Sequence, residues 1–103
     1  MPSFTDRARA IISSIPHGYV ATYGQIAAMA GNRRAARQVV RVLHTCSQSH
    51  NLPWHRVVNR EGRIALRAGS GFYEQQRLLA AEGIAVDESG VIDLEIFLWR
   101  PVP

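Results

Sequence analysis

The strongest constraint on this chain is a pair of helix signals separated by a very short turn. Thr22, followed three residues later by Gln25, has the form of a capping box, in which each side chain satisfies a backbone N–H at a helix start. Ile26, Ala27 and Ala30 give that helix an apolar face, and Gly31 supplies a left-handed stop. Asn32 can cap a further helix at once, running from Arg33 to about Thr45. In it Ala36, Val39, Val42 and Leu43 turn inward, and Arg34, Arg37 and Arg41 turn outward. Two helices meeting across a Gly-Asn turn are the sequence form of a helix-turn-helix, whose second helix ordinarily enters a groove of DNA.

The remaining segments supply what such a unit needs around it. Ser3 with Asp6 repeats the capping signature, and Phe4, Ala8, Ile11, Ile12 and Ile15 recur at helical spacing up to Pro16-His17-Gly18. Val57-Val58 and Ile64-Ala65-Leu66 flank Asn59-Arg60-Glu61-Gly62-Arg63, which predicts a small hairpin with arginines at its tip. A fourth helix is predicted over 72–82, stopped by Gly83, and a last hairpin joins 84–86 to 91–94. The tail Phe97-Leu98-Trp99 is expected to pack on the core. The expected fold class is α+β: a mainly helical winged helix-turn-helix with a small β-hairpin wing. A chain of 103 residues has room for one core and not two, so residues 1–103 are read as one domain.

Charge narrows the partner. Between Arg33 and Arg77 there are nine arginines against Glu61 and Glu74, whereas the flanks are net acidic. Such a stretch attracts a polyanion, and nucleic acid is the default one. Every basic residue is Arg, none Lys, which suits bidentate phosphate and base contacts. No apolar run is long enough for a bilayer, and the first ten residues lack an apolar signal core, so a cytoplasmic protein with no membrane partner is expected. Cys46 is the only cysteine. It has no partner for an internal disulfide and no spaced His or Cys ligands for zinc, so no metal and no cofactor are expected.

In order, these motifs resemble the DNA-binding domain of the O6-alkylguanine-DNA alkyltransferases from about Ile15 to Gly83. The centre is Pro53-Trp54-His55-Arg56-Val57, flanked by Thr22-Tyr23-Gly24-Gln25-Ile26-Ala27, Ala35-Ala36-Arg37-Gln38-Val39 and Leu79-Ala80-Ala81-Glu82-Gly83. In that family the central motif reads Pro-Cys-His-Arg-Val, and the cysteine takes the alkyl group in a single turnover. Here Trp54 stands in its place, as in the alkyltransferase-like proteins, which bind the lesion and leave it intact. The resemblance includes no counterpart of the alkyltransferases' N-terminal domain, which fits a binding module without the parts that transfer needs.

The substitution has a chemical consequence of its own. A thiolate offers a nucleophilic lone pair when a neighbouring base lowers its pKa. Indole offers none, because its nitrogen lone pair belongs to the aromatic system and the group acts only as a donor. What Trp54 can present is a large rigid face to a flat base, worth about 1–3 kcal/mol by stacking. His55 and Glu82 match the pair that activates the family's cysteine; with no thiol to deprotonate, a structural hydrogen bond is expected. Cys46, at the end of the second helix, is expected to be a small buried hydrophobe.

The resemblance also assigns the DNA contacts. Reaching a guanine O6 means extruding the nucleotide, at a cost of a few kcal/mol. Arg37 matches the finger that enters the minor groove and fills the gap, with Ala35 and Ala36 letting the backbone come close. Tyr23 matches the tyrosine beside the target phosphate. Arg67 replaces a tyrosine at the rim of the base pocket and could lie against the base by cation–π attraction. The expected lesion pocket is therefore Tyr23, Trp54, Val57 and Arg67, and Asn32, Arg34, Arg41 and Arg60 are assigned to the DNA backbone by position. The expected function is a non-enzymatic sensor that binds O6-alkylguanine in double-stranded DNA, shields it and flags it for nucleotide excision repair proteins, acting as a monomer. Two alternatives stand beside it. One is a winged-helix transcriptional regulator with a preferred operator, against which Ala35-Ala36 beside a single finger arginine argues. The other is an active alkyltransferase using Cys46.

Overall fold

The computed structural model describes residues 2–101; Met1, Val102 and Pro103, at the ends of the expected domain, lie outside them. Helix α1 (Phe4–Ser13) opens on the expected capping box, with Ser3 Oγ accepting from Asp6 N and Asp6 returning the bond to Ser3 N. Strand β1 (Ala21–Thr22) leads into α2 (Tyr23–Met29), where Thr22 and Gln25 form the second capping box. Helix α3 (Ala36–Cys46), strand β2 (Val57–Val58), α4 (Phe72–Ala81) and a short α5 (Leu94–Phe97) follow, with 3₁₀ turns at Trp54–Arg56 and Ala68–Ser70.

The two strands are brief, yet they organise the interior. β1 and β2 pair in parallel, Ala21 opposite Val57 and Thr22 opposite Val58. Because successive strand residues point to opposite faces, Ala21 and Val57 turn toward α1, α2 and α3, joining Ala8, Ile12, Ile26, Val39 and Val42. Val20 and Val58 turn the other way and join Ile64, Leu79, Ile84 and Ile92. The tail closes over this seam: Trp99 N donates to Val20 O at 2.7 Å, and Gln25 Nε2 donates to Trp99 O at 2.7 Å.

Three expectations are corrected. Helix α3 begins at Ala36, not Arg33, because the Asn32 side chain accepts from Arg34 N and closes a local turn, completed by Ala35 N donating to Asn32 O. Residues 33–34 therefore belong to the turn. The mainly helical α+β class stands, but 57–58 does not form a hairpin with 64–66. β2 takes β1 as its partner, and the chain leaves it through a tight turn in which Asn59 Oδ1 accepts from Glu61 N and Arg63 N. A glycine is required at position 62, where φ is +78° and an added Cβ would lie 2.5 Å from Ile92 O. The last hairpin is also absent. Asp87 Oδ1 caps Ser89 N and Val91 N, Arg63 pairs with Val91, and Asp93 caps α5, so 84–86 and 91–94 do not pair as strands.

Candidate nucleic-acid interface and base pocket

α3 has two faces of opposite character. Val39, Val42 and Cys46, at helical spacing, are buried against α1 and α2, while Arg37, Gln38, Arg41, His44 and Thr45 are exposed. Asn32, Arg33 and Arg34, in the turn before it, are exposed too. Arg60 is exposed at the tip of the 59–63 turn. Ala36 is half-buried, but Ala35 is 6% exposed and turns its methyl into the core, so it contributes backbone, not side chain, to this surface.

The chain after α3 doubles back through Asn51, the one non-glycine residue at positive φ (+52°) among the described residues. Pro53 then leads into the Trp54–Arg56 turn, closed by Arg56 N donating to Pro53 O. Within that turn the side chains diverge. Arg56 runs inward, its Nη1 donating to Ile15 O at 2.9 Å and its Nε and Nη2 meeting the Glu82 carboxylate at 2.9–3.0 Å. His55 Nε2 lies 2.6 Å from Glu82 Oε2, and Gly18 N donates to Glu82 Oε1 at 2.8 Å. This is the structural hydrogen bond expected of His55 and Glu82. Burial alone would push the Glu82 carboxyl up, but the Arg56 guanidinium, the Gly18 N–H and the His55 ring outweigh it and bring its pKa down to about 2.

With His55 and Arg56 so anchored, Trp54 borders an open cavity of about 900 Å³. Tyr23 and Val57 line it as well, together with Leu43, Leu66 and Gln75. A space of this size accepts a flat heteroaromatic group with a substituent. Tyr23 is the first residue of α2, and burial raises the pKa of its phenol, so at neutral pH it meets an anion as a donor. Three of the four expected pocket residues are thus brought together. Arg67 is not on the cavity wall: it is exposed and forms the N-cap of the 68–70 turn, between Leu66 and Ser70, which are. Cys46 is buried in the last turn of α3 and does not line the cavity. A hydrogen bond with Thr45, ahead of an opposing push from burial and a weaker pull from Arg9, holds its thiol below its usual pKa.

Gln75 and Asn51 escaped sequence reading. Gln75 had a signal: it stands one turn before Leu79, on the inward face of α4, where an apolar residue is the rule. Asn51 had none, since its role is a backbone conformation within a polar segment.

Residues 3–84 match the family model described as the 6-O-methylguanine DNA methyltransferase, DNA binding domain. A DNA base-flipping protein of Escherichia coli (strain K12) is 50% identical over 98 residues, covering 95% of this chain and 75% of that protein. Alkyltransferase-like protein 1 of Schizosaccharomyces pombe is 31% identical over 106 residues, covering 98% of each. Among solved structures, S. pombe Atl1 in complex with damaged DNA containing O6-carboxymethylguanine superimposes with a TM-score of 0.87 at 30% identity, covering 98% of this chain and 100% of that one.

Proposed function

The chain belongs to the family of the 6-O-methylguanine DNA methyltransferase DNA-binding domain, and from that premise we propose that it captures O6-alkylguanine in double-stranded DNA by flipping the nucleotide and holds it without removing the alkyl group. The observation that carries the reading is Trp54 at the wall of an open cavity; the resemblance of Pro53-Trp54-His55-Arg56-Val57 to the family's motif puts it where that motif has its cysteine. An indole there stacks and cannot accept an alkyl group. The only thiol, Cys46, is off the cavity wall, which weighs against transfer through it.

The other roles follow from position. Arg37 fills the space vacated by the flipped base from the minor groove, where readout is degenerate and capture tolerates many sequences. Ala35 and Ala36 let the backbone approach, and Tyr23 presses on the phosphate beside the target. Asn32, Arg34, Arg41 and Arg60 contact phosphates. Arg67, exposed at the lip between Leu66 and Ser70, reaches the base only by folding over it. The whole chain acts as one domain and as a monomer, shielding the lesion and flagging it for nucleotide excision repair proteins. Among the described residues no helix is long and apolar enough to cross a membrane.

The test is affinity at fixed salt for duplexes that differ only in guanine or O6-methylguanine; equal binding sinks lesion recognition. Two variants assign the surface. Arg41→Ala is expected to lower affinity for both duplexes alike and flatten the salt dependence by about one unit of slope. Arg37→Ala is expected to lower affinity for the lesion duplex about tenfold. It should also reduce the fluorescence rise of a 2-aminopurine placed beside the lesion, a readout of extrusion that a phosphate contact would leave alone.

A further inference from the structure

Val20 donates its N–H to Phe97 O at 2.9 Å and accepts from Trp99 N at 2.7 Å, so the tail runs parallel to β1 with Leu98 opposite Val20. In a parallel ladder of this register the next bond would run from Thr22 N to Trp99 O. The Gln25 amide is inserted in its place. Thr22 N donates to Gln25 Oε1 at 3.3 Å, and Gln25 Nε2 donates to Trp99 O at 2.7 Å. With the oxygen accepting and the NH₂ donating, the orientation of the amide is fixed and both its ends are used.

What this relay holds is the start of α2. Thr22 is the N-cap and Tyr23 the first helical residue. The first turn has little rigidity of its own, because α2 is seven residues long and its second residue is Gly24. Core packing takes hold only later, at the fully buried Ile26 and Ala27. The direction in which Tyr23 leaves the end of β1 is therefore set by the capping box and by the tail tied to it. We propose that Gln25 is a positioning residue for nucleotide extrusion: by tying the cap of α2 to Trp99, it fixes the aim of the Tyr23 phenol at the phosphate beside the target. The inference rests on the reading of Tyr23 given above and adds the tail to the parts that turn the nucleotide outward.

The experiment is a double-mutant cycle on the full chain. It is read by affinity for O6-methylguanine and guanine duplexes and by the fluorescence rise of a 2-aminopurine beside the lesion. Gln25→Glu keeps the capping box, which a glutamate at this position serves equally well, and removes the donor to Trp99 O. It should lower the preference for the lesion duplex about tenfold and reduce the fluorescence rise with it. In a Tyr23→Phe background, which has already lost the hydroxyl that meets the phosphate, the same substitution should lower neither any further. Lost packing, or repulsion of DNA by the added carboxylate, would act alike in both backgrounds, and equal losses overturn the inference. An unchanged preference in Gln25→Glu overturns it too, as does a Tyr23→Phe chain that behaves as the wild type. In each of these cases a wild-type preference for O6-methylguanine over guanine leaves the lesion reading standing. If the wild type shows no such preference, the lesion reading itself fails, and the inference with it. Thermal denaturation checks that the variants fold; should Gln25→Glu not fold, Gln25→Ala carries the same expectation.

Discussion

Trp54→Ala is expected to lower affinity for a duplex carrying O6-methylguanine by about 10- to 100-fold, the range of one lost base–aromatic stack. Affinity for the undamaged duplex should change by no more than about twofold. The asymmetry follows from placement. Trp54 borders the cavity, whereas Arg41, on the exposed face of α3, lies outside it and as the proposed phosphate contact would serve any duplex. Trp54→Phe, which keeps an aromatic face, should recover most of the loss. A parallel loss on both duplexes in a competition assay would instead make Trp54 a packing residue of the 54–56 turn.

Glu82→Gln is expected to cost about 3 kcal/mol of folding stability at neutral pH, because it leaves the Arg56 guanidinium enclosed without its counter-charge. For a chain of this size that is a fall of roughly 15 °C in Tm. The pH dependence has a definite sign. Glu82 titrates at about 2 in the fold against 4.5 for the free side chain. Between those values the unfolded chain binds the extra proton, so the contribution is complete above about pH 4.5 and is lost as pH falls toward 2. The difference between wild type and variant should therefore shrink through that window and vanish below it, as followed by denaturant midpoints. A gap that persisted at pH 2 would remove the ion pair as its cause. A loss of lesion affinity no larger than the loss of fold would confirm that the His55–Glu82–Arg56 group holds the turn and does no chemistry.

How much was legible depends on how local the signal is. Both capping boxes, Thr22 with Gln25 and Ser3 with Asp6, were readable because each is written within four residues and satisfied by them. The start of α3 misled for the same reason in reverse: Asn32 is as good at closing an Asx turn as at capping a helix, and only the burial of Ala35 decides between them. The pairing of β1 with β2 was out of reach. Each strand is two residues long, and nothing in Val57-Val58 says that its partner is Ala21-Thr22 and not the following segment. In the pocket, Trp54, Tyr23 and Val57 could be named from motif order, since the resemblance supplied the long-range contacts that the residues alone do not. Arg67, named for the rim, stands exposed between Leu66 and Ser70, which line the wall in this arrangement while its own side chain does not. Gln75 was missed because reading α4 for apolar spacing passes over a polar residue on the buried face.

The central claim is capture without transfer, and intact-mass spectrometry of the protein and the DNA strand after prolonged incubation with an O6-methylguanine duplex tests it most directly. Both masses unchanged, from a complex that is still assembled, is the expected result. A methyl group gained by the protein and lost by the strand would contradict it.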